Sequence, residues 1–328
     1  MLHLVTGAAG FIGSHLSEKL LRQGHDVVGL DNMNAFYDPE IKQSNLLNIE
    51  TVAAQAGREF IFYAGDIRQQ NLLSQIFSQH KIDTVYHLAA MAGVRPSAQN
   101  PRLYIDVNEQ GSVNILEEMR AHHLRKIVFA SSSSVYGNAV KVPFSESDNV
   151  DFPISIYAAT KKAGELLTHT YHSLYGFSVA CLRFFTVYGP RQRPDLAIHA
   201  FAKKILAGQP VPIFGDGSKS RDFTYIDDIV DGIVRAGAWT AQTDEARYGI
   251  FNLGESKTIS VLDMIAALEK AIGKTAKKNF LPDVPGDVQT TFADITKAKT
   301  VLGYNPQTTF PVGLARFVEW LRPADASH

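Results

Sequence analysis

The chain has 328 residues, of which 45% are hydrophobic and 20% charged, with a formal net charge of -1 and a single cysteine. The length allows two domains or one large α/β unit, and the balanced charge offers no nucleic-acid or membrane surface. Cys181, inside the apolar run VACLRFF, reads as a buried small hydrophobe; one cysteine excludes an intrachain disulfide and fits a reducing cytoplasm.

The chain opens directly on a strand, so no signal peptide is expected, and it has no long uninterrupted apolar span. Leu2, Leu4 and Val5 form the first apolar run. Gly7, Gly10 and Gly13 follow at the spacing G-x-x-G-x-x-G, and Phe11, Ile12, Leu16, Leu20 and Leu21 then recur at helical spacing. Gly24 ends that helix, and Val27 to Leu30 form a second strand closed by Asp31. A strand, a glycine turn, a helix and a terminal acid make a dinucleotide cradle, with phosphates on the unpaired N–H groups of the helix N-terminus. Asp31 can accept from both hydroxyls of an adenosine ribose and would repel a 2'-phosphate, so the cofactor expected is NAD rather than NADP.

After a polar loop and a helix, Glu59 to Ala64 reads as the third strand, ending at Gly65-Asp66-Ile67. Asp66 can accept from an adenine amino group, or cap the helix Gln69 to Gln79. Thr84 to Leu88 is the fourth strand, and the small Ala89 and Ala90 behind it let a cofactor lie against the backbone. The second half of the following stretch reads as a long amphipathic helix with Val107, Gly111, Ile115 and Met119 on one face. Lys126 to Ala130 is the fifth strand and delivers the run Ser131 to Ser134; Val179 to Phe184 is the sixth.

This βαβα alternation gives an α/β fold, a Rossmann-type doubly wound parallel sheet, with ligands beyond the carboxyl ends of the strands. From Tyr188 the texture turns to short, turn-rich segments. The expected division is therefore an NAD-binding domain over 1–186 and a smaller C-terminal substrate-binding domain over 187–328, with parts of 225–255 returning to the large sheet. Tyr157 and Lys161 lie four apart at the head of a helix and so share a face. A lysine cation favours the phenolate of its neighbour, and a tyrosine so tuned can take a proton from a sugar hydroxyl. A hydroxyl from the serine run can reach the same oxygen.

With these pieces in place, the chain resembles the extended short-chain dehydrogenases/reductases of the nucleotide-sugar epimerase and dehydratase group, and within it most the UDP-glucuronate 4-epimerases. The matching pieces include DNMNAFYDPEIK, AGVRPS, ASSSSVYG, YAATKKAGE, LRFFTVYGPRQRPD, RDFTYIDDIV and PGDVQTTFAD. Met91 stands where that pattern has Gln. The resemblance implies Ser132, Tyr157 and Lys161 as catalytic residues. For the cofactor it implies Gly7, Gly10, Phe11, Ile12 and Gly13 at the turn, and Asp31, Asn32, Asp66 and Ile67 at the adenosine end. Ala89, Ala90 and Asn108, with Tyr157 and Lys161, complete that set. It implies Arg95, Ser132, Ser133, Ser134, Thr186, Arg193, Arg221 and Asp287 for the UDP-sugar, no metal, and a homodimer pairing the helices Tyr104 to Arg120 and Tyr157 to Tyr175.

In the related dehydratases and decarboxylases a Glu precedes the Val-Tyr-Gly of the serine motif; here Ser133 and Ser134 hold those places. A hydroxyl is a poor acid or base for removing water. Neutral donors can hold a glucuronate carboxylate that a Glu would repel. The expected reaction is C4 epimerisation of UDP-glucuronate through a 4-keto intermediate. The alternatives are a 4-epimerase of a neutral UDP-hexose and a non-catalytic NAD-binding sensor of the same fold.

Overall fold

A computed structural model of the chain describes residues 1–283 and 288–322. The strands, in chain order, are β1 (Leu2–Thr6), β2 (Asp26–Asp31), β3 (Phe60–Ala64), β4 (Thr84–His87), β5 (Lys126–Ser132) and β6 (Ser178–Phe184). Then come β7 (Thr186–Tyr188), β8 (Pro210–Phe214), β9 (Ser220–Tyr225), β10 (Tyr248–Leu253), β11 (Thr258–Ser260) and β12 (Lys277–Leu281). The helices are α1 (Phe11–Arg22), α2 (Pro39–Ala56), α3 (Gln70–Gln79), α4 (Val94–Gln99), α5 (Pro101–Ile105) and α6 (Gly111–Ala121). They continue with α7 (Ile156–Tyr175), α8 (Ala197–Leu206), α9 (Ile226–Thr240), α10 (Val261–Ile272) and α11 (Phe310–Leu321).

Seven strands form one parallel sheet in the order β3-β2-β1-β4-β5-β6-β10. The order reverses between β1 and β4, which opens a crevice at their carboxyl ends. Side chains alternate across the sheet. Val5, Val27, Val128 and Leu182 face α1, α2 and α9, while Leu4, Val28, Phe129 and Cys181 face α3, α6 and α7. Both faces are therefore dry, as a parallel sheet requires. The first of these cores runs on without a break into the second lobe, taking in Tyr188, Ile213, Met264 and Phe317. That lobe holds a three-stranded sheet, β11-β9-β7, and a parallel pair, β12-β8. β10 and α9 come from the second half of the chain, yet β10 is an edge strand of the large sheet and α9 packs on α1.

The stretch after Ala90, of which the second half reads as one long helix, is segmented. It runs α4, α5, a five-residue π turn over Asp106–Gln110, and α6. Pro96 and Pro101 sit in the first turns of α4 and α5, where proline starts helices but cannot extend a preceding one. Val107, Gly111, Ile115 and Met119 are all buried as the period required.

Candidate active site

A cavity of about 410 Å³ opens at the carboxyl ends of β1, β2, β4, β5 and β6. Its phosphate end is the glycine turn. Gly7 takes a left-handed φ of 74°, and a Cβ on Gly13 would stand 2.0 Å from the Gly7 carbonyl oxygen, so α1 can pack on the turn only with glycine there. The N-cap of α1 is Gly10, which offers no side-chain cap, and the first turn carries no acid. Its N–H groups therefore keep their capacity and their positive field for an anion.

At the adenosine end Asp31 is buried, and its Oδ2 accepts a single hydrogen bond. Its Oδ2 accepts from Ala9 N at 3.2 Å and its Oδ1 from Met33 N and Lys42 Nζ, both at 2.9 Å. Lys42 is buried too, brought in on α2, which Asp38 caps. This lysine closes the piece DNMNAFYDPEIK, but nothing in its spacing predicts the pairing; it comes from a helix with little apolar stripe and meets Asp31 only in the fold. Asp66 accepts from Arg68 and from Asn32 at 2.9 Å, and these contacts hold its carboxyl down at about 2. Its side chain closes a turn on Arg68 N and does not cap α3, whose N-cap is Gln69.

The chemical end is built from two elements. Ser155 caps α7 by accepting from Ala158 N at 3.1 Å, which fixes the first turn and sets Tyr157 and Lys161 over the end of β5. β5 runs into the serine motif, where Ser132 Oγ accepts from Ser134 N at 3.1 Å. Lys161 is buried and donates to Ala130 O at 2.7 Å; burial lowers its pKa to about 8. Burial raises the Tyr157 phenol, while the Ser132 hydroxyl and then the Arg193 charge pull it back. The sequence assigns that pull to Lys161; in the folded chain the Lys161 ammonium donates to a backbone carbonyl and lies 5.9 Å over the Tyr157 ring, and Arg193 adds a second positive charge. Arg193 is held by Asp195 at 2.7 Å and lies 5.0 Å over the Phe36 ring.

The wall of this one cavity includes Gly7, Gly10, Phe11, Ile12, Gly13, Asp31, Asn32, Asp66, Ile67, Ala89 and Ala90, together with Ser132, Ser133, Ser134, Tyr157, Lys161, Thr186 and Arg193. Phe36, Tyr37 and Leu196 join it, which motif reading missed because nothing in their spacing distinguishes a wall residue from a loop residue. Asn108 stands one layer behind, where its side chain braces Met91 N at 2.7 Å and Met91 O at 3.0 Å. Arg95 is exposed and stacks 5.5 Å over Phe214, and Arg221 donates to Ser220 O at 2.8 Å; neither lines the cavity. Asp287 lies outside the described residues. The carboxylates on the wall, Asp31 and Asp66, belong to the β2 and β3 ends. Asp31 is three strand spacings from β5, about 14 Å. Among the described residues no group of three or more His, Cys, Asp or Glu is arranged to hold a metal ion, and no helix is long and apolar enough to cross a membrane.

The family model for GDP-mannose 4,6-dehydratase matches residues 4–317. A UDP-glucuronate 4-epimerase of Thermodesulfobacterium geofontis is 45% identical over 97% of this chain and 95% of its own. Among solved structures, the UDP-glucuronic acid 4-epimerase of Bacillus cereus, in complex with UDP-glucuronic acid and NAD, superposes with a TM-score of 0.89 at 41% identity, over 98% of this chain and 99% of that one. The UDP-glucose 4-epimerase of Thermotoga maritima, with UDP-glucose, gives 0.87 at 32% identity, covering 98% of both chains.

Proposed function

Because the chain belongs to the GDP-mannose 4,6-dehydratase family of extended short-chain dehydrogenases/reductases, we propose that it catalyses NAD-dependent C4 epimerisation of a UDP-sugar, UDP-glucuronate to UDP-galacturonate. The carrying observation is the composition of the chemical end of the cavity. Tyr157, Lys161 and Ser132 stand with Ser133, Ser134, Thr186 and Arg193, and the acids on the wall are at the ends of other strands.

The uncapped first turn of α1 fits a pyrophosphate and the bare backbone of Gly7–Gly13 and Ala89–Ala90 fits a flat ring and ribose, so the cavity suits NAD. NAD bound there supplies the acceptor and donor of the C4 hydride. Tyr157 takes the C4 hydroxyl proton and returns it after the keto sugar has turned over. The Ser132 hydroxyl and the Arg193 charge favour the phenolate that this requires. Lys161, protonated below about pH 8, adds positive charge beside it. Ser133, Ser134 and Thr186 are neutral donors suited to a carboxylate, and none of them can act as the acid that expels water.

In the proposed division of labour, residues 1–186 hold the cofactor and 187–328 close on the nucleotide, with Arg95, Arg221 and Asp287 as candidates for the diphosphate and uridine. Two further readings follow: a homodimer through the α5–α7 face, where Ile105, Leu166 and Leu174 stay exposed, and residence in the cytoplasm. A Leu174→Asp variant that still sediments like the parent would defeat the dimer. The test of function is kcat/KM for UDP-glucuronate and UDP-glucose with a product assay for UDP-pentose. Efficient epimerisation of the glucuronate, poor use of the glucose and little pentose are expected. Equal use of UDP-glucose makes the enzyme a neutral-hexose epimerase, and dominant pentose makes it a decarboxylase.

A further inference from the structure

Below the cavity floor, a chain of hydrogen bonds joins the glycine turn to the catalytic helix. Ser112 Oγ donates to Asn108 O at 2.5 Å, and a carbonyl can only accept. The Ser112 proton is thereby used, so at the 2.9 Å contact between Ser112 Oγ and His87 Nε2 the ring must donate. His87 is therefore the Nε2–H tautomer with a bare Nδ1, and that Nδ1 accepts from Thr6 Oγ1 at 2.7 Å. With its proton committed, Thr6 Oγ1 accepts from Leu88 N and Ala89 N, both at 3.1 Å. Those two amides belong to the cavity wall, and they abut the glycine turn: a Cβ on Gly7 would stand 3.0 Å from Ala89 N. At the other end, the Asn108 side chain grips Met91 and donates to Thr160 Oγ1 at 3.0 Å, and Thr160 Oγ1 donates to Tyr157 O.

We infer that His87 is a positioning residue for the cofactor, a neutral imidazole locked in one tautomer that ties the glycine turn and the Leu88–Ala90 wall to the helix carrying Tyr157. Both hydroxyl protons beside the ring are committed, that of Ser112 to Asn108 O and that of Thr6 to Nδ1, so a second proton on His87 has nowhere to point. Thr6 has no lone pair left for it, and the group facing His87 electrostatically is the Lys161 ammonium, a like charge. Burial and Lys161 together lower the imidazole to about 3. A neutral ring here also leaves Lys161 as the cation beside Tyr157.

The inference rests on the cavity holding NAD and is independent of which sugar the enzyme takes. It is tested on the full chain with Thr6→Val, Thr6→Ser and His87→Gln. In 15N–1H correlation spectra of the histidine rings, the signal that disappears in His87→Gln should show the Nε2–H tautomer. It should stay neutral between about pH 8 and about pH 5, where an unperturbed imidazole titrates. Thr6→Val keeps the shape but strips Ala89 N of its acceptor and leaves Leu88 N with the Thr6 carbonyl alone. It should weaken NAD binding to stripped protein by roughly 10-fold or more. Thr6→Ser, which keeps the hydroxyl, should restore most of the affinity. An Nδ1–H tautomer, a His87 that titrates in that range, a folded Thr6→Val that holds NAD as the parent does, or a Thr6→Ser as impaired as the valine would each overturn the inference. Turnover of UDP-glucuronate is not the readout, so a wrong sugar assignment leaves this test intact.

Discussion

The Glu165 carboxylate and the Arg183 guanidinium face each other as two parallel hydrogen bonds of 2.8 Å, both side chains 1% exposed, directly beneath the serine motif. Glu165 also accepts from Ser131 Oγ at 2.6 Å, and Arg183 donates to Tyr136 Oη at 3.0 Å. Tyr136 in turn donates to Asn252 Oδ1 at 2.7 Å, on β10. The pair thus pins α7, β5, β6 and β10 behind the catalytic hydroxyls. Removing one partner leaves a buried, uncompensated charge, so Glu165→Ala should lose about 3–5 kcal/mol in denaturant unfolding. A loss below about 1 kcal/mol would show that the network is not what holds this corner.

Tyr157→Phe should leave the fold and NAD binding intact and lower kcat by ~10²–10⁴-fold, the usual share of general acid–base catalysis. Near-parental turnover in that variant would remove Tyr157 from the chemistry.

The Asp31–Lys42 pair is expected to set the choice between NAD and NADP. With Asp31 present, its charge keeps a 2'-phosphate out, and calorimetry on stripped protein should show a marked preference for NAD. In Asp31→Ser, Lys42 loses its carboxylate partner and becomes a cation facing the ribose, so NADP affinity should rise while NAD affinity falls. If NADP gains nothing, Lys42 does not face the ribose.

Activity should decline on the alkaline side because burial lowers Lys161 to about 8. The protonated form dominates below that value and the neutral amine above it, so kcat/KM should be steady near pH 7 and fall through pH 8. A profile flat to about pH 10, the ordinary range of a lysine, would place the lysine's charge outside the rate equation.

Stability should fall on the acid side. Burial keeps His3 at about 4 and His15 and His87 at about 3 in the folded chain, against about 6.5 when unfolded. Between those values the unfolded state binds more protons, so stability drops as pH falls, by ~1.4 kcal/mol per pH unit for each proton of difference. Thermal melts from pH 7 to about pH 4 should show this, and a variant with His15 replaced by Gln should show a shallower slope.

The sheet and the cofactor end were legible in the sequence because their signals are local. Glycines at a fixed spacing, alternating strands and helices, and Tyr157 four residues before Lys161 each fix geometry within one or two turns of chain. What escaped depends on distance. Lys42 meets Asp31 across a loop, the charge of Arg193 reaches Tyr157 from the turn-rich stretch after β7, and the tautomer of His87 follows from residues on β1, β4 and the helix beginning at Gly111. The second lobe was readable only as texture, since strands of three to six residues such as β7, β9 and β11 are too short to display a period.

The seventh strand of the large sheet is drawn from the far half of the chain, and the apolar core on its α1 side has no seam between the lobes. A fragment ending near residue 186 would present β6 with a bare edge and would strip α9 from α1, leaving the cofactor half without one wall of its interior. Neither half is then an independent folding unit. The protein should melt in one cooperative transition, and a nick anywhere between β6 and β10 should abolish cofactor retention as surely as damage to the glycine turn.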